Sequence, residues 1–540
     1  MTVLPIPSLA WIGSCLALLV AIPASAAPVP PASQLEEDIR SIEELSTLSE
    51  DAEALPLDQA VQTALAENLG LRVVVRQLGA SRSRLKASWG PWIPYATGGW
   101  NYRPFKGERW FDQYKSWERT DGHAGSYSLG VGANLPTGTS LTATWSQGEF
   151  QQGVAYDPEI FVDNPLAPDE PIPLLVDNEF QTRWSSLSFT LNQSLLEGIS
   201  PRYQLRSIYQ ARVAVERSEL EQQRQMGQVV ADTLKAYWDL VAARRLVEIQ
   251  RIDRRLAEEQ RSVTEARIAA GELAPVELLR IDETVASRAA ELLEAERSAA
   301  ESEQRLKLLM GVRRSGPLYG KSLRPEDGIQ ANLPARDREV SVEFALKGNF
   351  GLRIARTDLE SRRIDWRSAR HELLPDLSLS ASLALNGTGF DHRESISDVF
   401  DHNFPDLEVG MNLRLPLPDL AALHSVRAAD LDVEAALLSL EDQETEVLAG
   451  VETALRSIES FGAQVEVARL RRDLAAQTAG ASQATYGAGR NTLRDVLEAQ
   501  AALKEARVAW IQAQVDQLKA RVDLELLRGS LLETLGVELR

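Results

Sequence analysis

The chain has a single cysteine, Cys15, in 540 residues, which leaves it no disulfide framework and no thiolate metal site. Histidine is almost as scarce. His123, His371, His392, His402 and His424 stand far apart, without the spacing of metal ligands. No glycine-rich loop ends in Lys-Ser/Thr and no Gly-x-Ser-x-Gly elbow occurs, so the common phosphate-binding and nucleophile motifs are missing. Nor does any Ser/His/Asp or paired-carboxylate constellation fall on one site, and neither an enzyme nor a cofactor is expected. Positive charge is also short. Against 78 acidic residues stand 58 Lys and Arg, a net charge of -20, and the basic residues scatter along helices, which argues against a nucleic-acid partner.

Long apolar runs are absent apart from Trp11–Ile22, which precedes a small-residue cleavage site, Ala24-Ser25-Ala26. Residues 1–26 therefore read as a secretory leader, although no Lys or Arg precedes the run. A retained anchor is the alternative, but the run is short for a membrane span. Ile12-Gly13-Ser14-Cys15 resembles a lipoprotein signal, except that the apolar run follows the cysteine instead of preceding it. Residues 27–56, proline-rich and then acidic, form a tether with no pattern for burial.

What the chain does have is length in its helices, and duplication. Apolar or small residues recur in steps of three and four at Val433, Leu437, Leu440, Val447, Val451, Ala454, Ile458, Phe461, Val465 and Ala468, with Glu444 breaking the seam. That is the spacing of helices packed knobs-into-holes. The seam stops at Gly487-x-Gly489 and resumes at Leu493, Val496, Leu497, Leu503 and Trp510, so a long helix reverses and returns antiparallel. An ordinary coiled-coil hairpin with nothing at its tip would look the same.

The pattern occurs twice. Asn68-Leu69-Gly70-Leu71-Arg72 returns as Asn349-Phe350-Gly351-Leu352-Arg353, and Ala-Gly271-x-x-x-x-x-Glu277 as Ala-Gly489-x-x-x-x-x-Asp495 at an offset of 218. Met310-Gly311-Val312 is matched with Leu535-Gly536-Val537. The expectation is two tandem copies of one unit. The first spans 57–312 and the second 340–540, with a Pro/Gly-punctuated linker at 313–339. Each copy has a helix (57–88; 340–373), strands, a helix of about 70 residues (200–270; 419–488) and a shorter return helix (274–311; 493–535).

Strands are read from strict alternation over Ser126–Leu135, Thr139–Gln147, Leu187–Leu191, Leu377–Leu385 and Leu407–Leu415. Each run has one apolar and one polar face and, Leu187–Leu191 apart, about nine residues, enough to cross a bilayer when tilted. Seven of the eleven tryptophans lie within 89–184, where interfacial girdles would be needed. A soluble sandwich alternates equally well, but very long helices flank the strands and offer no second sheet. A few strand pairs cannot close a barrel alone, so several chains must contribute.

The duplication, the strand entry Leu374-Pro375-Asp376-Leu377-Ser378-Leu379-Ser380 and the tip Tyr486-x-x-Gly489-x-x-Thr492-x-x-Asp495-Val496-Leu497-x-Ala499 together resemble the TolC-like outer-membrane efflux protein family, over nearly everything after the leader. The resemblance implies an α+β membrane protein: a homotrimeric outer-membrane β-barrel in lipid, continued by a long periplasmic α-helical coiled-coil tunnel. It implies partners as well, a periplasmic adaptor protein and an inner-membrane pump, and a passive duct for small molecules. The exit duct of a one-step protein secretion system is the alternative on the same scaffold.

Carried onto this sequence, the resemblance places Asp495 and Glu498 around a closed entrance, and Tyr486 and Glu277 at contacts between neighbouring hairpins. Asn491, beside Arg490, takes the place of a basic gate residue. Gly271, Gly487 and Gly489 fall at the hairpin turns. For each carboxylate singly, a solvated helix face is the alternative. The first copy is longer than the second between strand entry and tip, 177 positions from Pro94 to Gly271 against 114 from Pro375 to Gly489. The excess contains a hairpin about Pro136-Thr137-Gly138 and an exterior loop at 157–178. That hairpin either adds membrane strands, six per chain instead of the four the resemblance implies, or folds outside the barrel.

Overall fold

The structure, a computed structural model, describes residues 52–112, 115–157, 159–162, 172–175, 178–328, 337–401, 405–487 and 490–536. The leader, most of the tether and Gly489 lie outside the described residues. The chain divides into two compact units. One comprises residues 1–53 and 320–324 and, where described, is held by a hydrogen bond from the Glu53 N–H to the Ser322 carbonyl and by a Lys321–Glu53 ion pair. The other, 54–319 with 325–540, contains the elements named below.

Its helices are α1 (Leu57–Glu67), α2 (Leu69–Ala87), α3 (Arg206–Ala269), α4 (Val276–Leu309), α5 (Arg338–Gly348), α6 (Phe350–His371), α7 (His392–Asp401), α8 (Leu420–Gly487) and α9 (Leu493–Arg528). At 64 and 68 residues, α3 and α8 are about 96 and 102 Å long. No helix among the described residues is long and apolar enough to cross a membrane. A broken helix, strands, a very long helix and a shorter return helix follow one another twice.

Neither short helix is continuous as expected. At Asn68 and Asn349 the backbone leaves the helix (ψ 122° at both), and the asparagine side chain caps the helix on its C-terminal side. Asn68 accepts from the Leu71 N–H and Asn349 from the Leu352 N–H, each at 3.1 Å. The same amides donate to the last carbonyls of the return helices, Asn68 to Leu309 at 2.8 Å and Asn349 to Leu527 at 2.9 Å. The repeated Asn-x-Gly-Leu-Arg motif is thus a splice that joins two short helices alongside one long one.

The splice needs a glycine opposite. Gly311 (φ 68°) and Gly529 (φ 71°) end the return helices, and a Cβ there would lie 2.4 Å from the Glu67 carbonyl oxygen and 2.2 Å from that of Gly348. Gly311 therefore answers Gly529, at the same offset of 218 as the tips, and the match to Gly536 read from sequence is corrected.

The strands form one antiparallel sheet. In chain order they are β1 (Tyr95–Phe111), β2 (Ser116–Leu135), β3 (Thr139–Asp157), β4 (Asn178–Ser194), β5 (Asp376–Gly389) and β6 (Pro405–Arg414), and each pairs with the next. The hairpin at Pro136-Thr137-Gly138 is β2–β3, seated inside the sheet between β1 and β4. Between β3 and β4, Ile160–Val162 pairs with Ile172–Leu175.

Register aligns side chains into rows across all six strands. Leu407, Leu383, Phe189, Ala143, Val131 and Ala96 make one row, and Pro405, Leu385, Leu187, Trp145, Leu129 and Gly98 another on the same face. The row between them, Asp406, Ala384, Ser188, Thr144, Gly130 and Thr97, faces the other way.

The strands are longer than the nine residues expected. β1 to β4 run 17 to 20 residues, the longest about 68 Å. Alternation hid the extra length because the faces exchange character past the tryptophan row. There Glu149, Arg183 and His123 occupy the face that was apolar, while Phe105, Phe150 and Phe180 stack on the opposite one.

At that boundary sits α7, which the sequence reading did not anticipate. Its buried Ser395 and Val399 press on Gly387, where a Cβ would lie 2.2 Å from the Ser395 carbonyl oxygen. The hydroxyls of Ser185 and Ser395 meet at 2.9 Å, and Gln147 Nε2 lies 2.9 Å from His392 Nδ1.

Candidate functional site: the hairpin tips

Both hairpins end in tight reversals built from local hydrogen bonds. At the first, the Gly271 N–H donates to the Ile268 carbonyl and the Glu272 N–H to that of Arg267, both at 2.9 Å, with Gly271 left-handed at φ 75°. Space around Gly271 is open, so the requirement there is conformational alone. Pro275 then precedes α4. Glu277, in its first turn, pairs with Arg280 at 3.1 Å. Val276 and Leu279 stand exposed beside it, an apolar knob at the end of the hairpin.

At the second tip α8 runs through Gly487, its last residue, and the Arg490 N–H donates to the Thr485 carbonyl at 3.0 Å. Gly489 falls outside the described residues. Thr492 caps α9 in a reciprocal box. The Asp495 N–H donates to Thr492 Oγ1 at 3.3 Å, and the Thr492 N–H and hydroxyl donate to Asp495 Oδ2 at 3.0 and 2.6 Å. Those bonds hold the Asp495 carboxyl below the usual carboxylate range, the hydroxyl contributing most and the backbone N–H next. Glu498 pairs with Arg494 at 2.7 Å. Asn491 is half-buried and Arg490 is exposed.

Tyr486 is the one predicted tip residue in a core. It is buried against Leu493 and Val496, with Leu497 packed on that cluster. The guanidinium of Arg267 lies 4.8 Å over its ring, so the end of α3 grips the end of α8. The Tyr486 hydroxyl is buried and finds no hydrogen-bond partner among the described residues.

The structure thus brings Tyr486 to the neighbouring hairpin through Arg267 rather than Glu277, while each predicted carboxylate has a partner on its own helix. Arg267 went unread because nothing local in its sequence distinguishes it from other surface arginines. Thr492-x-x-Asp495 was legible as a cap. Among the described residues no group of His, Asp and Glu could hold a metal ion. Chemically the tips offer helix ends, apolar knobs and paired carboxylates, which suits docking and gating.

A model of the family described as "Outer membrane efflux protein" matches residues 177–312 and 342–530, more than half of the chain. The chain is 27% identical to the pyoverdine export outer membrane protein OpmQ of Pseudomonas aeruginosa over 306 residues, 55% of this chain and 60% of that protein. It is 24% identical to Nodulation protein T of Rhizobium leguminosarum bv. trifolii over 305 residues, 56% of this chain and 63% of that protein. The matched segment thus spans less than two thirds of either relative. Among solved structures, the outer-membrane channel OprN superposes with a TM-score of 0.63 at 20% identity, over 88% of this chain and 89% of that one. It is therefore similar in fold.

Proposed function

The chain belongs to the outer membrane efflux protein family, and on that premise we propose that it is the outer-membrane subunit of a tripartite export system, a passive duct for small molecules. The observation that carries this reading is the six-stranded sheet. Between the helices and the tryptophan row it has one apolar face in continuous rows and a polar opposite face, with two open edges, β1 and β6, beside helices of about 100 Å. In lipid such edges must pair.

An even number of alternating strands leaves β1 and β6 antiparallel, so each edge suits the opposite edge of a second copy. The helices support the same closure. On one flank α2 exposes Leu69, Val73 and Val75, and on the other α8 exposes Leu431, Leu438 and Leu448. A face-to-edge contact of this kind repeats around a ring. Three copies make the homotrimer, an eighteen-stranded barrel continued by a helical tunnel through the periplasm, after removal of the leader at 1–26.

The tips form the entrance, opened by a periplasmic adaptor coupled to an inner-membrane pump, with Val276 and Leu279 as the apolar knobs offered to it. Asp495 and Glu498, with Glu277, Tyr486 and Asn491, line or hold that entrance. A wall of eighteen strands is wide enough to favour a second cargo, an extended polypeptide leaving by one-step secretion.

The test is expression in an outer membrane followed by extraction. The duct reading expects an SDS-resistant oligomer three chains in size that conducts ions in a planar bilayer. A monomer without conductance would sink it.

A further inference from the structure

Where the helices leave the sheet, this acidic chain carries a basic groove. An open cavity of about 780 Å³ lies between α6 and the start of α3 with the Pro201–Gln204 turn before it. It is lined by Arg202, Tyr203, Arg206, Arg212, Arg367 and His371. Glu360 is the only carboxylate among its lining residues, 3.6 Å from Arg367. Glu197 and Glu372, nearby, both accept from the Tyr203 hydroxyl, at 3.0 and 3.4 Å. Arg206 donates to the Tyr203 carbonyl at 3.1 Å and lies 4.2 Å over the Tyr203 ring, which packs on His371 at 4.8 Å. Arg202 and Arg212 have no carboxylate partner among the described residues.

Two features mark this groove as a candidate anion site. Four guanidinium groups share one lining carboxylate, Glu360, and the excess of positive charge repels itself, although the chain has 78 acidic side chains from which to neutralise it. And Nε2 of His371, on the cavity wall, is buried without a hydrogen-bond partner among the described residues, a polar atom that costs free energy until something meets it.

The position says what the occupant is. α6 ends at His371 and β5 begins at Asp376, so the groove lies within a few turns of the first apolar rows, at Leu377 and Leu413. If those rows face lipid, as the duct reading on which this inference rests requires, the groove opens at headgroup depth. There arginine and tyrosine anchor to phosphate and to the interface. Planar guanidinium forks match phosphate oxygens in pairs, and the cavity has room for a glycerophosphate as well as the phosphate.

We propose that this groove binds the phosphate headgroup of an anionic phospholipid from the leaflet beside the helices, one per chain, so that lipid completes the wall at the sheet–helix joint.

The test titrates the full chain, purified in non-ionic detergent, with short-chain phosphatidylglycerol and follows bound lipid by native mass spectrometry. Saturation at one lipid per chain is expected. Affinity should fall at least tenfold in the double variant Arg202→Gln, Arg212→Gln, which breaks no ion pair, and should be unchanged in Arg363→Gln, on α6 but off the groove. Inorganic phosphate, run in parallel, should compete poorly. Equal binding by the double variant overturns the proposal, and so does phosphate binding as well as the lipid, which would assign the groove to free anions. Conductance of the same preparation separates the two readings. A conducting oligomer without lipid binding sinks the groove alone, and a preparation that does not conduct sinks both.

Discussion

At the scale of single residues, spacing conveys which face a side chain occupies but not what holds it there. Asp495 and Glu498 lie one turn apart, which read as a pair of entrance carboxylates. In the structure Asp495 is the reciprocal half of the Thr492 cap. Removing the cap with Thr492→Ala should cost about 1 kcal/mol locally, a roughly fivefold rise in amide exchange through the first turn of α9, with α4 unaffected. The cap carries a pH dependence as well. Because the Asp495 carboxyl titrates below its unfolded value, its contribution is complete above the ordinary carboxylate range and is lost as pH falls through the lowered one. Exchange at the tip should therefore accelerate on acidification in the wild type but not in Asp495→Asn. Glycines give a second residue-scale contrast. Gly529 and Gly271 have nearly the same positive φ, but a Cβ at Gly529 meets a backbone oxygen at 2.2 Å and one at Gly271 meets nothing. Gly529→Ala should lower the melting temperature by several degrees more than Gly271→Ala. Equal losses would mean that conformation alone sets the requirement.

At the scale of elements, the long helices were legible because their repeat runs for many turns, and their observed ends fall within a few residues of those expected except at the start of α3. The splice at Asn68 and Asn349 was visible as a repeated motif yet not interpretable, since its partners Leu309 and Leu527 are distant in sequence. Strand length was under-read for a different reason. Alternation persists past Gln147, but apolar residues shift from odd to even positions, to Phe150 and Val154, so a single-face template stops there. α7 is short and its burial comes from packing on Gly387, which no local pattern announces. The inserted hairpin can be tested at this scale. With Cys15 as the only native thiol, cysteines at Leu129 and Leu141 should resist aqueous maleimides and react with lipid-soluble ones, whereas one at Asp121 should label from water. Aqueous labelling at both leucine sites would place the hairpin outside the membrane.

At the scale of the molecule, the sequence led to the expectation that several chains contribute, and the structure leaves two flanks of the chain uncovered. Buried residues crowd α3, which has neighbours on both sides, while α8 buries only Val451, Ala454, Ala479 and Tyr486. Cysteine at Ala96 on β1, scanned against cysteines at Leu407, Val409 and Met411 on β6, should give disulfide-linked species up to three chains in size at one register. Failure at every register would deny that these edges meet. Residues 95–157, which contain β1 to β3, lie with the rest of 1–176 outside the matched family segments. The meander has one more consequence. Because six strands alternate in direction, the sheet leaves and rejoins its helices on the same side. The described strand ends at Phe111, Ser116, Asp157, Asn178, Gly389 and Pro405 lie on the far side. A newly made chain could therefore enter the membrane from the side on which it was delivered, passing three strand-to-strand connections across while every long helix stays behind. The labour of threading is confined to those three connections rather than to any long helix.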